Sequence, residues 1–232
     1  MVYKKFNQYI KLIYFCFCFS ILLPSKTIAI SYFDNTSDLD DYNPLSKGLA
    51  DMLITDLSKL KSIQIVEREK LEKILSEIDL GSTDFMDKST AQKLGNGLGA
   101  EYILTGSYLI MGETMRIDAR LIDVDSGEIS MAEEITGDKN EFFSLEKKLV
   151  DKLISTLKIA VSKSEKRKIK KVQTESFDSF NAYSSALDAL DNGDIIKSQE
   201  FLSKAVEIDE DFDVAWDKLD EIIELIDQLE QS

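Results

Sequence analysis

The chain has 232 residues, a formal net charge of −15 at pH 7 and no histidine. The missing imidazole excludes Ser-His-Asp and Cys-His catalysis, histidine-ligated zinc and a histidine pH switch. Both cysteines, Cys16 and Cys18, sit in an apolar N-terminal run, so the rest has no disulfide, thiol nucleophile or thiolate metal site.

Lys4, Lys5 and Lys11 precede that run, which covers residues 12–23, and Pro24 follows it. A dozen residues fall short of the ~20 needed to span a bilayer, so residues 1–29 read as a secretory signal peptide. Thr27-Ile28-Ala29 is the best cleavage site, with small residues at −3 and −1. Residues 27–33 also read as a strand. Cleavage near Ser25, or retention of the segment as an anchor, would spare it. Phe15 and Phe17 before the two cysteines argue against a lipidated cysteine.

A first strand is expected over residues 28–33, then a polar loop from Asp34 to Asp38. Asn43-Pro44 opens a helix, with Asn able to cap it and Pro tolerated in its first turn. Leu45, Leu49, Met52, Leu53, Leu57 and Leu60 recur on one helical face. A second strand follows over residues 63–66. The next helix turns Leu71, Ile74, Leu75 and Ile78 inward and is broken at Gly81-Ser82. A third starts at Ser89 or Thr90, carries Ala91, Leu94 and Leu98, and stops at Gly99.

Residues 99–130 read as a three-stranded meander that organises the chain. Residues 102–110 are apolar and β-prone, and Gly112-Glu113 marks a turn. Met115, Ile117, Ala119 and Leu121 then alternate with Arg116, Asp118 and Arg120, the period-2 signature of a half-buried strand. Asp125-Ser126-Gly127 is a second tight turn, and residues 128–132 return as the third strand. A long amphipathic helix is expected over residues 141–161.

The basic run 162–171 reads as a boundary, either a solvated helix end or linker or, alternatively, a patch for phosphate or lipid headgroups. Beyond it the pattern is helical. Residues 172–232 hold 17 acidic and 3 basic residues. Ala182, Ala186, Ala189, Gly193, Leu202 and Ala205 fall at the small and apolar positions of a tetratricopeptide repeat. Trp216 lies 34 residues after Ala182, the period of that repeat. Ser198 and Glu210 depart from it, standing where alanine and proline are typical. One and a half repeats bury little core, so the tail is expected to dock on the domain, on another subunit or on a partner, and to offer a groove.

Three clusters could carry chemistry. Gly95-Asn96-Gly97-Leu98-Gly99 has phosphate-loop composition, but its glycines close a helix and precede a strand, the reverse of a nucleotide loop. Asp34, Asp38, Asp40 and Asp41 could hold Ca²⁺, but their spacing is not that of an EF-hand. Asp123 and Asp125 flank a turn and read as turn formers rather than an acid–base pair. No catalytic, cofactor-binding or metal residue is therefore assigned. An acidic chain also argues against nucleic acid.

The pieces in order are Gly48-Leu49-Ala50-Asp51, Ile65-Val66-Glu67-Arg68, Leu71, Ile74-Leu75, Thr90-Ala91, Leu94-Gly95, Gly99-Ala100-Glu101-Tyr102, Thr105-Gly106 and Ala119-Arg120-Leu121-Ile122-Asp123 with Ser126-Gly127-Glu128. Together they resemble the CsgG family, the curli production assembly and transport components, over about residues 28–160. The resemblance implies a non-enzymatic periplasmic component of the cell envelope, secreted through its signal peptide. It would act by protein–protein interaction in assembly or secretion of surface material.

The resemblance also implies an α/β domain on a mixed sheet. With the residue patterns above, the expected fold is α/β: a mixed sheet with a C-terminal antiparallel meander and packed helices, followed by the all-α tetratricopeptide-like segment. The expected division is a signal peptide (1–29), a CsgG-like domain (30–161), a basic linker (162–175) and the helical segment (176–232). Expected partners are envelope proteins, with homo-oligomerisation and peripheral outer-membrane contact both open. The family's channel member inserts long hairpins into the membrane, whereas the tight turns near Gly112 and Ser126 leave no room for them. A channel subunit of the curli type and an envelope adaptor similar to the TolB N-terminal domain are the alternative readings.

Overall fold

The computed structural model describes residues 25–77 and 88–231. At its centre lies a five-stranded mixed sheet in the order β2-β1-β3-β4-β5. The strands are β1 (Lys26–Asn35), β2 (Ile63–Ile65), β3 (Tyr102–Met111), β4 (Thr114–Asp123) and β5 (Ile129–Asp138). β1 runs parallel to β2 and β3, and β3, β4 and β5 form the antiparallel meander. Eight α-helices accompany them among the described residues. They are α1 (Leu45–Leu57), α2 (Arg68–Glu77), α3 (Lys88–Leu98), α4 (Phe142–Thr156), α5 (Lys163–Ile169), α6 (Phe177–Asp191), α7 (Ile195–Ile208) and α8 (Asp213–Glu230). The mixed α/β class with an all-α C-terminal segment is thus the observed one.

Strand alternation divides the core in two. Ile28, Ile30, Leu104, Tyr108, Met115, Ile117, Ala119 and Leu121 join a cluster with α1, α4 and α6–α8. Ala29, Ile103 and Val124 join a smaller cluster with Leu71 of α2 and Leu94 and Leu98 of α3. On α1 the helical spacing buries Leu45, Leu49, Leu53 and Leu57 completely. Each contributes about 2 kcal/mol of transfer free energy. The larger cluster does not end at the sheet. It runs through α4 into Phe177, Phe180, Tyr183, Leu202 and Phe212 of the helical tail.

Several elements differ from expectation. The signal-peptide reading over residues 1–24 lies outside the described residues, as do Ile78 and the Gly81-Ser82 break. Asn43 does not cap α1 with its side chain. Pro44 is the N-cap residue, and Asn43 Oδ1 accepts a hydrogen bond from Asn35 Nδ2 at 2.7 Å. β5 continues six residues beyond Ala132. Glu133, Glu134 and Asp138 look wrong for a strand, but β5 is a sheet edge, where one face and one side meet water.

The run 162–171, expected as a solvated helix end or linker, contains a helix. Ser162 and Glu165 form a reciprocal capping box, and Glu165 Oε1 accepts from the Lys61 backbone N–H at 3.0 Å. Ile169 joins the main core.

The helix expected over 141–161 ends at Thr156. Lys158 takes φ +54°, the Lys158 N–H donates to Ser155 O, and the Ile159 N–H donates to Ile154 O. That is a Schellman stop with lysine where glycine is usual. Its benefit is tertiary, since the reversal folds Ile159 back onto the core. A non-glycine residue there costs about 1 kcal/mol. We therefore expect Lys158→Gly to stabilise the protein by about 0.5–1 kcal/mol in urea unfolding. A destabilisation would show that the lysine side chain contributes more than its backbone costs.

Candidate functional site

The most developed junction lies between α1 and α6. Gly48 permits it: a Cβ added there would sit 1.8 Å from Ser184 Oγ and 2.8 Å from Ser184 Cβ. The two helices therefore approach across a glycine. One turn further, Tyr183 Oη donates to Asp51 Oδ2 at 2.8 Å. Burial and the Asp51 charge push the Tyr183 hydroxyl well up, so it stays a neutral donor.

At the C-terminal end of α6 a charged cluster closes the junction. Arg68 Nη1 lies 2.5 Å from Asp191 Oδ1, and both side chains are almost fully buried. Lys47 Nζ lies 2.8 Å from Asp191, 3.2 Å from Asp188 and 3.8 Å from Glu72, and 5.5 Å from the Tyr32 ring centre. Burial pulls the Lys47 ammonium down, but Asp191 and Asp188 outweigh it and the net shift is up. Removing one partner of such a pair strands a buried charge and costs about 3–5 kcal/mol.

An aromatic row continues the contact. Phe142 and Phe180 have ring centres 5.0 Å apart, Phe143 and Phe180 5.5 Å, and Tyr183 and Phe212 5.2 Å. The tail thus docks on its own domain, with α1 packed against α6. Two hydroxyls on α6 are satisfied by backbone: Ser184 Oγ bonds Phe180 O, and Ser179 Oγ bonds Ala205 O. The buried Ser198 hydroxyl of α7 has no hydrogen-bond partner among the described residues.

A second buried cluster joins α1 to α4. Asp56 and Glu146 are both fully buried. Lys147 Nζ bonds Asp56 and lies 3.3 Å from Glu146 Oε2, while Lys59 Nζ lies 2.6 Å from Asp56 Oδ1. Burial, then the Asp56 charge, raises the Glu146 carboxyl well above the usual range against the opposing pull of Lys147.

The clusters weighed from sequence resolve differently. Gly95 lies inside α3, where an added Cβ would sit 2.3 Å from Val124 Cγ2, so it serves packing. Asp40 and Asp41 lie in a short 3-10 turn, with Asp40 accepting from Asn43. Asp123 Oδ1 accepts from Ser126 N and Ser126 Oγ, both at 2.9 Å. Those bonds, the backbone one foremost, lower its carboxyl. Among the described residues no group of three or more His, Cys, Asp or Glu is placed to hold a metal. Helical spacing exposed the apolar faces in advance. The pairing of Gly48 with Ser184 and of Arg68 with Asp191 carried no local signal, because each joins residues over 120 positions apart.

Residues 25–112 match the model of the family described as curli production assembly/transport component CsgG. This CsgG-like stretch contains β1, α1, β2, α2, α3 and β3, and so includes Gly48, Asp51, Lys47 and Arg68. The chain is also 26% identical over 147 residues to the protein named Putative adenylate cyclase 3 of Rhizobium meliloti (strain 1021). That match takes in 63% of this chain and 23% of the relative's length.

Two solved structures resemble it in shape. The LpoB C-terminal domain from Salmonella enterica has 15% identity and a TM-score of 0.42, covering 51% of this chain and 87% of that one. Lipoprotein GNA1162 from Neisseria meningitidis has 16% identity and a TM-score of 0.42, covering 60% of this chain and all of that one.

Two outcomes are expected. Gly48→Ala should destabilise the chain by about 1–3 kcal/mol through overpacking, and adding Ser184→Gly should recover part of that. Chemical unfolding of the single and double variants measures the coupling, and strict additivity would show the helices simply move apart. Glu146 retains in the folded state a proton that the unfolded chain releases above its ordinary carboxylate pKa. Its contribution to stability is therefore present in acid and falls as pH rises toward the raised folded pKa, by about 1.4 kcal/mol per pH unit. Glu146→Gln should flatten that decline in unfolding free energy measured from pH 4.5 to 8. An unchanged slope would show that Glu146 ionises freely in the fold.

Proposed function

We propose that this protein is a CsgG-like, non-enzymatic component of the cell envelope, acting by protein–protein interaction in assembly or secretion of surface material. The match of residues 25–112 to the CsgG family carries this reading. On it, the protein works on the periplasmic side, in association with the outer membrane. On this reading the signal is cleaved near Ser25 or retained as an anchor, which the pairing of Ile28, Ala29 and Ile30 with Tyr102, Ile103 and Leu104 in β1 supports. Cleavage after Ala29 would remove the first four residues of that strand.

The protein is not itself the pore. Only Gly112 and Glu113 join β3 to β4, and residues 124–128 join β4 to β5. A membrane-spanning hairpin needs two strands of ~9–11 residues each. Helices α6–α8 are read as one and a half tetratricopeptide-like hairpins, supported by the buried Ala182, Ala186, Ala189, Leu202 and Ala205. They act as a fixed cap over α1, and leave the meander edge β5 and the outer face of α8 for partners.

Fractionation of cells should place the protein with the periplasm or outer membrane, and purified protein should add no conductance to planar bilayers. Discrete single-channel steps would replace this reading with a secretion channel. Formation of cyclic AMP from ATP by the purified chain would overturn its non-enzymatic part.

A further inference from the structure

Helix α5 presents Lys163, Lys166, Arg167 and Lys170 around one cleft. All four are exposed, and none makes a salt bridge among the described residues. Helix α8 presents the opposite charge. Asp213, Asp217, Asp220 and Glu224 follow at helical spacing on its solvent side, with Ala215, Leu219 and Ile222 buried opposite. Trp216 and Ile223 flank this acidic ridge and stay 42% and 38% exposed, apolar surface with no cover. The basic ridge from Lys163 to the C-cap Lys170 covers eight residues, about 10 Å along the axis, and fits within the acidic ridge from Asp213 to Glu224, about 16 Å long. They meet at one corner of the molecule, where Lys171 Nζ lies 3.0 Å from Asp213 Oδ2.

We infer that this corner is a self-complementary docking surface, on which α5 of one copy seats against the acidic ridge of α8 of a second copy, and reciprocally. Because each copy carries both patches, joined at Lys171 and Asp213, a two-fold arrangement can satisfy them together. The lysine and arginine stems cover Trp216 and Ile223, and Arg167 can stack on the indole face.

An anionic membrane is the poorer occupant. A plane that approached Lys170 and Lys171 would also meet Glu175, Asp209, Asp211 and Asp213, which line the same cleft. A second copy offers both signs of charge where they are needed. The inference stands on this geometry and not on the envelope reading, so it can fail or hold independently of that reading.

The contacts are exposed ion pairs, weak singly and screened by salt. The chain has a single tryptophan, so indole emission reports directly on the α8 face. The test is sedimentation equilibrium of the full chain together with Trp216 emission, at low salt and at about 1 M NaCl, where the screening length falls to about 3 Å. The expected result is a dimer at low salt whose emission shifts to the blue with concentration, and at least tenfold weaker association at high salt.

Lys166→Glu with Arg167→Glu, and separately Asp217→Lys with Asp220→Lys, should each yield monomers of wild-type helicity. Mixed together, the two variants should form a one-to-one heterodimer, because the swapped ridges again face opposite charges. A wild-type monomer at low salt would overturn the inference. So would a dimer that survives both swaps, or swapped variants that fail to pair. Binding of the wild type to phosphatidylglycerol vesicles through α5, without self-association, would assign the basic ridge to lipid instead.

Discussion

The structure depends on the burial of α1 between the sheet and α6. One face of this helix gives Leu45, Leu49, Leu53 and Leu57 to the sheet cluster. The other offers Gly48, Asp51 and Lys47 to the tail. A helix with one apolar stripe normally faces water on its far side. Here the far side is closed by another helix, at a distance only a glycine allows. The hydrophobic core is therefore continuous from β5 to Phe212, and the helical tail is part of it.

Two charged groupings sit inside this continuous core, with different physical consequences. The Arg68–Asp191 pair with Lys47 joins α2, α1 and α6, so its charges are mutually neutralised. The Asp56–Glu146 grouping has two buried carboxyls, and the raised Glu146 carboxyl keeps its proton instead. Buried charge is tolerated in the first case by pairing and in the second by neutralisation.

Charge on the outside is arranged unevenly. The acidic tail lies on the same molecule as the cationic run on α5, and the two touch at Lys171 and Asp213. An acidic envelope of one sign would keep copies apart. Separated patches of both signs allow weak, oriented association instead.

The sequence by itself determined the meander, the helical faces and the stop at Gly99, because these follow from local periodicity and backbone freedom. Met115, Ile117, Ala119 and Leu121 all point into the core as their alternation required. It also carried the CsgG likeness, as short motifs in fixed order. Tertiary structure decided the rest. The reversal at Lys158 exists because Ile159 must reach the core, and local preference favours glycine there. Strand β5 runs to Asp138 because pairing with β4 outweighs its charged residues. The basic run became a docked helix because Glu165 reaches Lys61 across about a hundred residues of chain. The tail found its seat because Gly48 and Ser184, silent apart, fit together only when two distant helices meet.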